Sequence, residues 1–341
     1  MLYFKEKTPT IDSYWRSIVL FGRNVASYKF ALAKTLIEIA NEEKTFIKLE
    51  ELAIPFAKHI SSHIKKVGKQ GTFGSSKFLD VCAKFSRNEI SEDILVQTTI
   101  KLGFNDVIDC FHNVNCAKLP KKFYIDERKA KNGITITDNL FKLKNIFQYQ
   151  NLPFEIEARW RLVETAWSLN ISPTLLDIGY DNDLNVLFTD SNKSKRINIT
   201  SCRDALNGYQ KGKCFYCFSA ITVEKKSEKL SDIDHFFPFI LQPYLKKINI
   251  NGIWNLVLAC KDCNRGISGK FACVPSLKYL ERLHKRNSYL IASHHPLRET
   301  LIKQTGLTDN NRVNTLQKVY DEAKQHLVQN WKSEKEHGVT F

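Results

Sequence analysis

Cys214-Phe-Tyr-Cys217, Asp232-Ile-Asp-His235 and Asn255-Leu-Val-Leu-Ala-Cys260-Lys-Asp-Cys263-Asn264-Arg265 are the segments on which the reading of this chain turns. Two Cys-x2-Cys pairs supply four thiolates. That is the complement of a closed, tetrahedral, structural zinc site with no coordination position left for a substrate. The gap from Cys217 to Cys260 exceeds common zinc-ribbon spacing, so a hairpin insert has to fill it. The cysteines could instead be buried small hydrophobes, and His235 taken alone a satisfied core histidine; Asp234 beside it and the two cysteine pairs around it tip the balance. Asp234 and Asn264 offer oxygen ligands of the kind a hard cation such as Mg²⁺ takes while keeping several waters.

Leu230 to Asp234 reads as a first strand, Asn255 to Ala259 as a second, and Lys261 to about Gly266 as a helix start, which would set Asn264 opposite the strand end carrying Asp234 and His235. This run resembles the HNH (ββα-metal) endonucleases in their zinc-stapled form. Asp232-Ile-Asp-His-Phe-Phe-Pro238, Asn255-Leu-Val-Leu and Asn264-Arg-Gly266 look particularly like the HNH domain of the RNA-guided CRISPR nucleases, although nothing else in the chain resembles such an effector. The resemblance implies His235 as general base, Asp234 and Asn264 as holders of one Mg²⁺ or Mn²⁺, and Asn255 as the residue that fixes the loop and orients the histidine. It also implies products with 5′-phosphate and 3′-hydroxyl ends. Arg265 would contact a neighbouring phosphate, with Lys270, Lys278 and Arg282 as further nucleic-acid contact candidates. Asn264 stands where many relatives have His, which makes the expected site harder.

The 341 residues suffice for one large domain or two to three small ones. The 51 Lys+Arg against 36 Asp+Glu leave a net +15, which points to a polyanionic partner. Nucleic acid, double-stranded DNA first, leads over an anionic membrane surface. No uninterrupted apolar run approaches the ~20 residues needed to span a bilayer, so membrane insertion is not expected. The five remaining cysteines, Cys82, Cys110, Cys116, Cys202 and Cys273, are odd in number and irregularly spaced, which with the absence of a signal-like start suggests the reducing cytoplasm.

Upstream, Trp15, Ile18, Val19 and Gly22 open a helical pattern that continues to about Asn41, with Tyr14, Trp15, Tyr28 and Phe30 read as packing rather than base-stacking aromatics. Lys48 to Val67 reads as a helix broken or kinked at Pro55. The Gly/Ser-rich basic stretch Lys65 to Lys77 reads as a loop without a phosphate-loop ending. Phe123-Tyr-Ile125 and Ile134-Thr-Ile-Thr137 read as a hairpin with a polar connection. Ile156, Trp160, Val163 and Trp167 mark an amphipathic helix. The polar run Ser191 to Arg196 reads as a linker. Lys278, Arg282, Lys285 and Arg286 form a basic helix side that is either solvated or tracks phosphates. His294 and His295 read as loop residues, and a closing helix from Arg312 ends in a fraying tail.

The expected architecture is α+β. A mostly helical N-terminal domain with a β-hairpin (1–199) would serve as sensor or as the part that binds a protein partner, DNA or a second copy, followed by a ββα-metal zinc-stapled nuclease core (200–275) and a helical C-terminal extension (276–341). The expected activity is hydrolysis of nucleic-acid phosphodiesters, in the setting of restriction or phage defence. The alternative is a non-catalytic zinc-stapled module that binds nucleic acid or protein.

Overall fold

The computed structural model describes residues 9–22, 25–72, 76–114, 117–146, 149–170, 177–190, 196–246, 248–293, 295–339 and 341. Cys116, His294 and most of the polar run 191–196 lie outside them. The chain is mixed α/β and forms two compact units, Met1–Ile156 and Glu157–Phe341.

In the first unit, α1 (Ile11–Phe21) and α2 (Tyr28–Ala40) replace the single helix expected from the continuous apolar pattern. The break falls at Gly22, whose backbone is extended (φ −63°, ψ 135°). A Cβ there would lie 2.3 Å from the Ile18 carbonyl oxygen, so only glycine fits the turn. Trp15 and Phe30 are buried, and Trp15 meets Phe123 edge-on at 4.9 Å, as a packing role requires. After β1 (Phe46–Lys48), α3 (Leu49–Ile64) runs unbroken through Pro55. One missing backbone bond is offset by the burial of Leu52, Phe56 and Ile60.

Next come α4 (Lys77–Ser86), α5 (Glu92–Thr98), α6 (Val107–Cys110) and the short pair β2 (Asn113–Val114) and β3 (Ala117–Lys118). The expected hairpin is formed by β4 (Tyr124–Asp126) and β5 (Gly133–Ile136), paired Tyr124 to Ile136, with β1 added on the far edge of β5. Its connection is a helical turn, α7 (Arg128–Lys131), closed by Asn132 in the left-handed region (φ 56°). The unit continues through α8 (Asp138–Lys144) into α9 (Leu152–Ser168), within which the division between units falls.

Two buried polar groups of this unit give measurable expectations. Arg16 bonds Glu155 at 2.7 and 2.9 Å and Asp12 at 2.6 Å, with 3% of its side chain exposed. Arg16→Met removes the cation facing a buried carboxylate, and urea denaturation should register a loss of about 3–5 kcal/mol. His112 accepts a hydrogen bond from the Phe123 amide at 2.9 Å, and burial, with Lys122 and Lys29 nearby, pushes its pKa down to about 3. The unfolded chain takes up this proton near pH 6.5 and the folded chain does not. The stabilisation is therefore complete above pH 6.5 and is lost as the pH falls toward 3. Between pH 7.5 and 5, wild type should lose about 2 kcal/mol more than His112→Gln. Equal losses in the two proteins would show that this histidine is not held neutral.

The second unit opens with the antiparallel meander β6 (Gly179–Asp181), β7 (Val186–Asp190) and β8 (Arg196–Ser201), followed by α10 (Cys202–Gln210). The hairpin strands β9 (Asp232–His235) and β10 (Leu256–Ala259) pair antiparallel, His235 to Leu256, and lead into α11 (Lys261–Arg265). After β11 (Val274–Pro275) come α12 (Leu277–Ala292), α13 (Leu297–Thr305), α14 (Asp309–His326) and β12 (Asn330–Trp331). Among the described residues no helix is long and apolar enough to cross a membrane.

The boundaries read at 199 and 275 both fall inside this unit. Position 199 lies within β8, which is hydrogen-bonded to β7. Tyr279, Leu283, Leu290, Leu301 and Val319 share one core with Phe215, Phe236, Leu256 and Val257, so the C-terminal helices complete the hairpin's core rather than extend it. The tail is also anchored. β12 pairs parallel with β11, Trp331 Nε1 donates to the Ser268 carbonyl at 2.8 Å, and the His337 amide donates to the Cys217 carbonyl at 2.7 Å. Phe341 packs on Tyr209, Phe215 and Phe218.

Candidate functional site

The backbone bends that bring the cysteines together are local. Lys211 (φ 51°) ends α10 in the left-handed region and Phe218 (φ 60°) closes the first knuckle, where the Cys214 amide donates to the Ser219 carbonyl. At the second knuckle, Cys260 is the N-cap of α11 and its Sγ accepts from the Cys263 amide at 3.4 Å. The sulfurs of Cys214, Cys217, Cys260 and Cys263 all lie within 4.8 Å of one another, and Cys217 and Cys260 stand 3.8 Å apart. Thiolates ~2.3 Å from a tetrahedral zinc would be ~3.8 Å apart, so the group could hold such an ion. All four are free thiols. Hydrogen bonds from the other three hold Cys217 far below the ordinary thiol range, while burial lifts Cys214 well above it. A cation at the centre would remove that conflict.

Along β9, consecutive side chains point to opposite faces, which separates Asp234 from His235. Asp234 is 7% exposed; the Tyr216 hydroxyl donates to its Oδ2 at 2.6 Å and the Lys270 ammonium lies 3.2 Å from its Oδ1. Burial raises its pKa, and Lys270 pulls the other way.

His235 is half-buried, between the rings of Tyr180 at 6.3 Å and Phe239 at 5.9 Å. Its Nε2 is 2.7 Å from Asn251 Oδ1. With that amide oxygen accepting, Nε2 carries the hydrogen and Nδ1 keeps the lone pair. Burial lowers the pKa of the ring, with the Asn251 bond opposing, so the imidazole is neutral at pH 7.

Asn255 is fully buried and pins the loop between β9 and β10 from both sides. Its Nδ2 donates to the Phe237 and Ile250 carbonyls at 2.9 and 3.0 Å, and its Oδ1 accepts from the Phe237 amide at 2.8 Å. Asn264 stands elsewhere than expected. Its Nδ2 donates to Asp232 at 3.0 Å, and Arg265 Nε reaches the same carboxylate at 2.8 Å. Asp232 pairs with Ala259, at the opposite end of β9 from His235. Both oxygens of Asp234 are engaged as folded, by Tyr216 and Lys270, and the Asn264 amide nitrogen is bonded to Asp232.

Three of the four proposed nucleic-acid contacts are engaged by other residues of the protein. Lys270 is fully buried. Lys278 and Arg282 both bind Glu336 at 2.6 Å, and Arg282 also donates to the Phe215 and Tyr216 carbonyls of the first knuckle. On the same helix, Arg286 is buried and donates to the Ile253 and Trp254 carbonyls. Lys278, Arg282 and Arg286 are thus engaged by other residues of the protein, while Lys285 on the same side is exposed. Arg265, with 60% of its side chain exposed, is the remaining candidate. His295 is buried and accepts the Leu297 amide through Nδ1, a structural role at the start of α13.

Sequence reasoning missed Asn251, Tyr216 and Gln210. The last holds the edge of β10 like an extra strand residue, donating to the Leu258 carbonyl and accepting its amide, both at 2.8 Å. Of these only Asn251 carried a signal, standing before Gly252 in the loop beside the histidine strand. No protein-family model, curated protein or solved structure matches the chain.

Proposed function

We propose that the second unit is a zinc-stapled ββα nuclease of the HNH type that hydrolyses nucleic-acid phosphodiester bonds, with DNA as substrate. The observation that carries this reading is His235 at the end of β9. It is a neutral imidazole with one nitrogen fixed by Asn251, on a hairpin whose loop Asn255 pins and whose helix begins at a cysteine of the four-thiol group. Nδ1 is left to take a proton from an attacking water, and the Asn251 carbonyl stabilises the imidazolium that results. Asn255 holds the loop carrying Asn251 and so sets the ring orientation. Arg265, exposed beside Asp232, supplies positive charge to a neighbouring phosphate, in keeping with the chain's net +15. A divalent cation bound at Asp234 and Asn264 would add charge neutralisation at the scissile phosphate, but both oxygens of Asp234 are engaged as folded, by Tyr216 and Lys270.

That last point favours a second reading, a zinc-stapled module that binds nucleic acid or protein without cutting it. Its support is the engagement of both Asp234 oxygens by Tyr216 and Lys270. Conversion of supercoiled plasmid by wild type and by His235→Ala separates the two. The first unit is assigned the role of sensing or partner binding, in the setting of restriction or phage defence.

A further inference from the structure

A cavity of about 210 Å³ lies in the first unit around the β2–β3 hairpin, and His112, Asn113, Lys118, Lys122, Asp109 and Asp126 are among the residues lining it. Asn113 and Lys118 stand opposite one another across the hairpin, which sets their side chains on one face of it. The His112 carbonyl accepts from the Leu119 amide at 2.9 Å and the Lys122 carbonyl from Asn139 Nδ2 at 2.8 Å, so the backbone carrying these groups is fixed.

Two polar atoms of this lining are left without a partner. His112 is 7% exposed, and its ring is held between neighbours, Tyr124 at 4.6 Å and Phe123 at 6.1 Å. Because Nε2 accepts the Phe123 amide, Nδ1 carries the hydrogen, and that donor has no hydrogen-bond partner among the described residues. The Asn113 amide oxygen is buried and has none either. A donor and an acceptor left open beside a polar cavity are what a bound polar molecule satisfies.

Charge narrows the choice of molecule. Asp109 and Asp126 are both taken by Arg128, whose Nη2 lies 2.7 Å from an oxygen of each and whose Nε is 2.8 Å from Asp126. Lys118 and Lys122 are exposed and have no ion pair among the described residues. The Lys29 ammonium, donating to the Asn113 carbonyl at 3.1 Å, is a third cation nearby. Burial with Lys122 and Lys29 close by keeps His112 neutral, so it serves here as an N–H donor. The fitting ligand is an anion that also carries a hydroxyl, since the lysines and the Nδ1 hydrogen take charged oxygens while the Asn113 oxygen only accepts. Hydrogen phosphate has both; sulfate, of the same shape, has no proton to give at neutral pH.

We propose that this cavity binds hydrogen phosphate, free or as the end group of a small phosphate monoester. Lys118, Lys122 and the Nδ1 hydrogen of His112 hold its charged oxygens, and its P–OH donates to Asn113. The site lies wholly within the first unit and is independent of the nuclease reading of the second.

The test is calorimetric titration of the full-length zinc-loaded protein at about pH 6, where inorganic phosphate and about half of a phosphate monoester keep a protonated oxygen. The probes are inorganic phosphate, a nucleoside 5′-monophosphate and sulfate. Phosphate is expected to bind a single site, at least ~10-fold more weakly in Lys118→Gln/Lys122→Gln, and sulfate at least ~10-fold more weakly than phosphate in wild type. Both lysines are exposed, so the double variant keeps its fold. Tighter binding of the monoester than of the free ion would support the site and name the monoester as its ligand; the reverse would support it and name the ion. In wild type, NMR of the imidazole should show the His112 Nδ1 hydrogen exchanging more slowly with water once phosphate is bound. Absence of phosphate binding, equal affinity in wild type and the double variant, equal affinity for sulfate, or unchanged Nδ1 exchange would each overturn the proposal.

Discussion

Cys260→Ala is expected to abolish zinc binding at the four-thiol group and to unfold the second unit. Cys260 does three things at once: it supplies one of four sulfurs, its Sγ caps α11, and it joins β10 to that helix. The first knuckle's Phe215 and Tyr216, both fully buried, are packed in the same core, so loosening the thiol group opens the centre of the unit. Structural zinc contributes about 10–16 kcal/mol to folding in small zinc modules, against a total stability of about 5–15 kcal/mol for an ordinary domain. Loss of even half of that would leave the unit unfolded at 25 °C. Elemental analysis should find a single zinc per wild-type chain and almost none in Cys260→Ala, and the variant should lose the cooperative melt of the second unit. Stoichiometric zinc in the variant, or a wild type that melts identically with and without a strong chelator, would remove the staple from this account.

If the second unit is the proposed nuclease, His235→Ala is expected to lower cleavage by at least ~10², the lower end of what a positioned general base contributes. The substitution leaves the four thiols, the Asp234–Tyr216–Lys270 group and the Asn255 pins untouched, because none of them bonds the His235 ring; Lys270 bonds its backbone carbonyl, which alanine keeps. Folding and DNA affinity should therefore change little. A loss of affinity as large as the loss of rate would mean that the ring binds substrate rather than activating water.

The short elements around the cysteines were legible because their signals are local. Strand, strand and helix lie within two residues of where the resemblance to a ββα core put them, and the four-thiol group needed only the Cys-x2-Cys spacing. The fate of the charged residues was not legible, because it depends on contacts far apart in sequence. Lys270 reaches back 35 positions to His235, and Lys278 meets Glu336 58 positions on. From spacing alone the α12 cations look like a wet helix face; the tail folding back to Glu336 engages Lys278 and Arg282. The Asn264 side chain went to Asp232 because two acids alternate on one strand face, and sequence cannot say which of them α11 will meet. The gap at Gly22 was hidden for another reason, since the apolar period continues across a residue whose backbone leaves the helix.

The most direct measurement of the central claim is the conversion of supercoiled plasmid DNA by purified zinc-loaded protein, with Mn²⁺ at saturating concentration, for wild type and His235→Ala side by side. The account predicts nicked or linear product from wild type and at least ~10² less from the variant at equal zinc content. No product from either protein, or equal product from both, would contradict it.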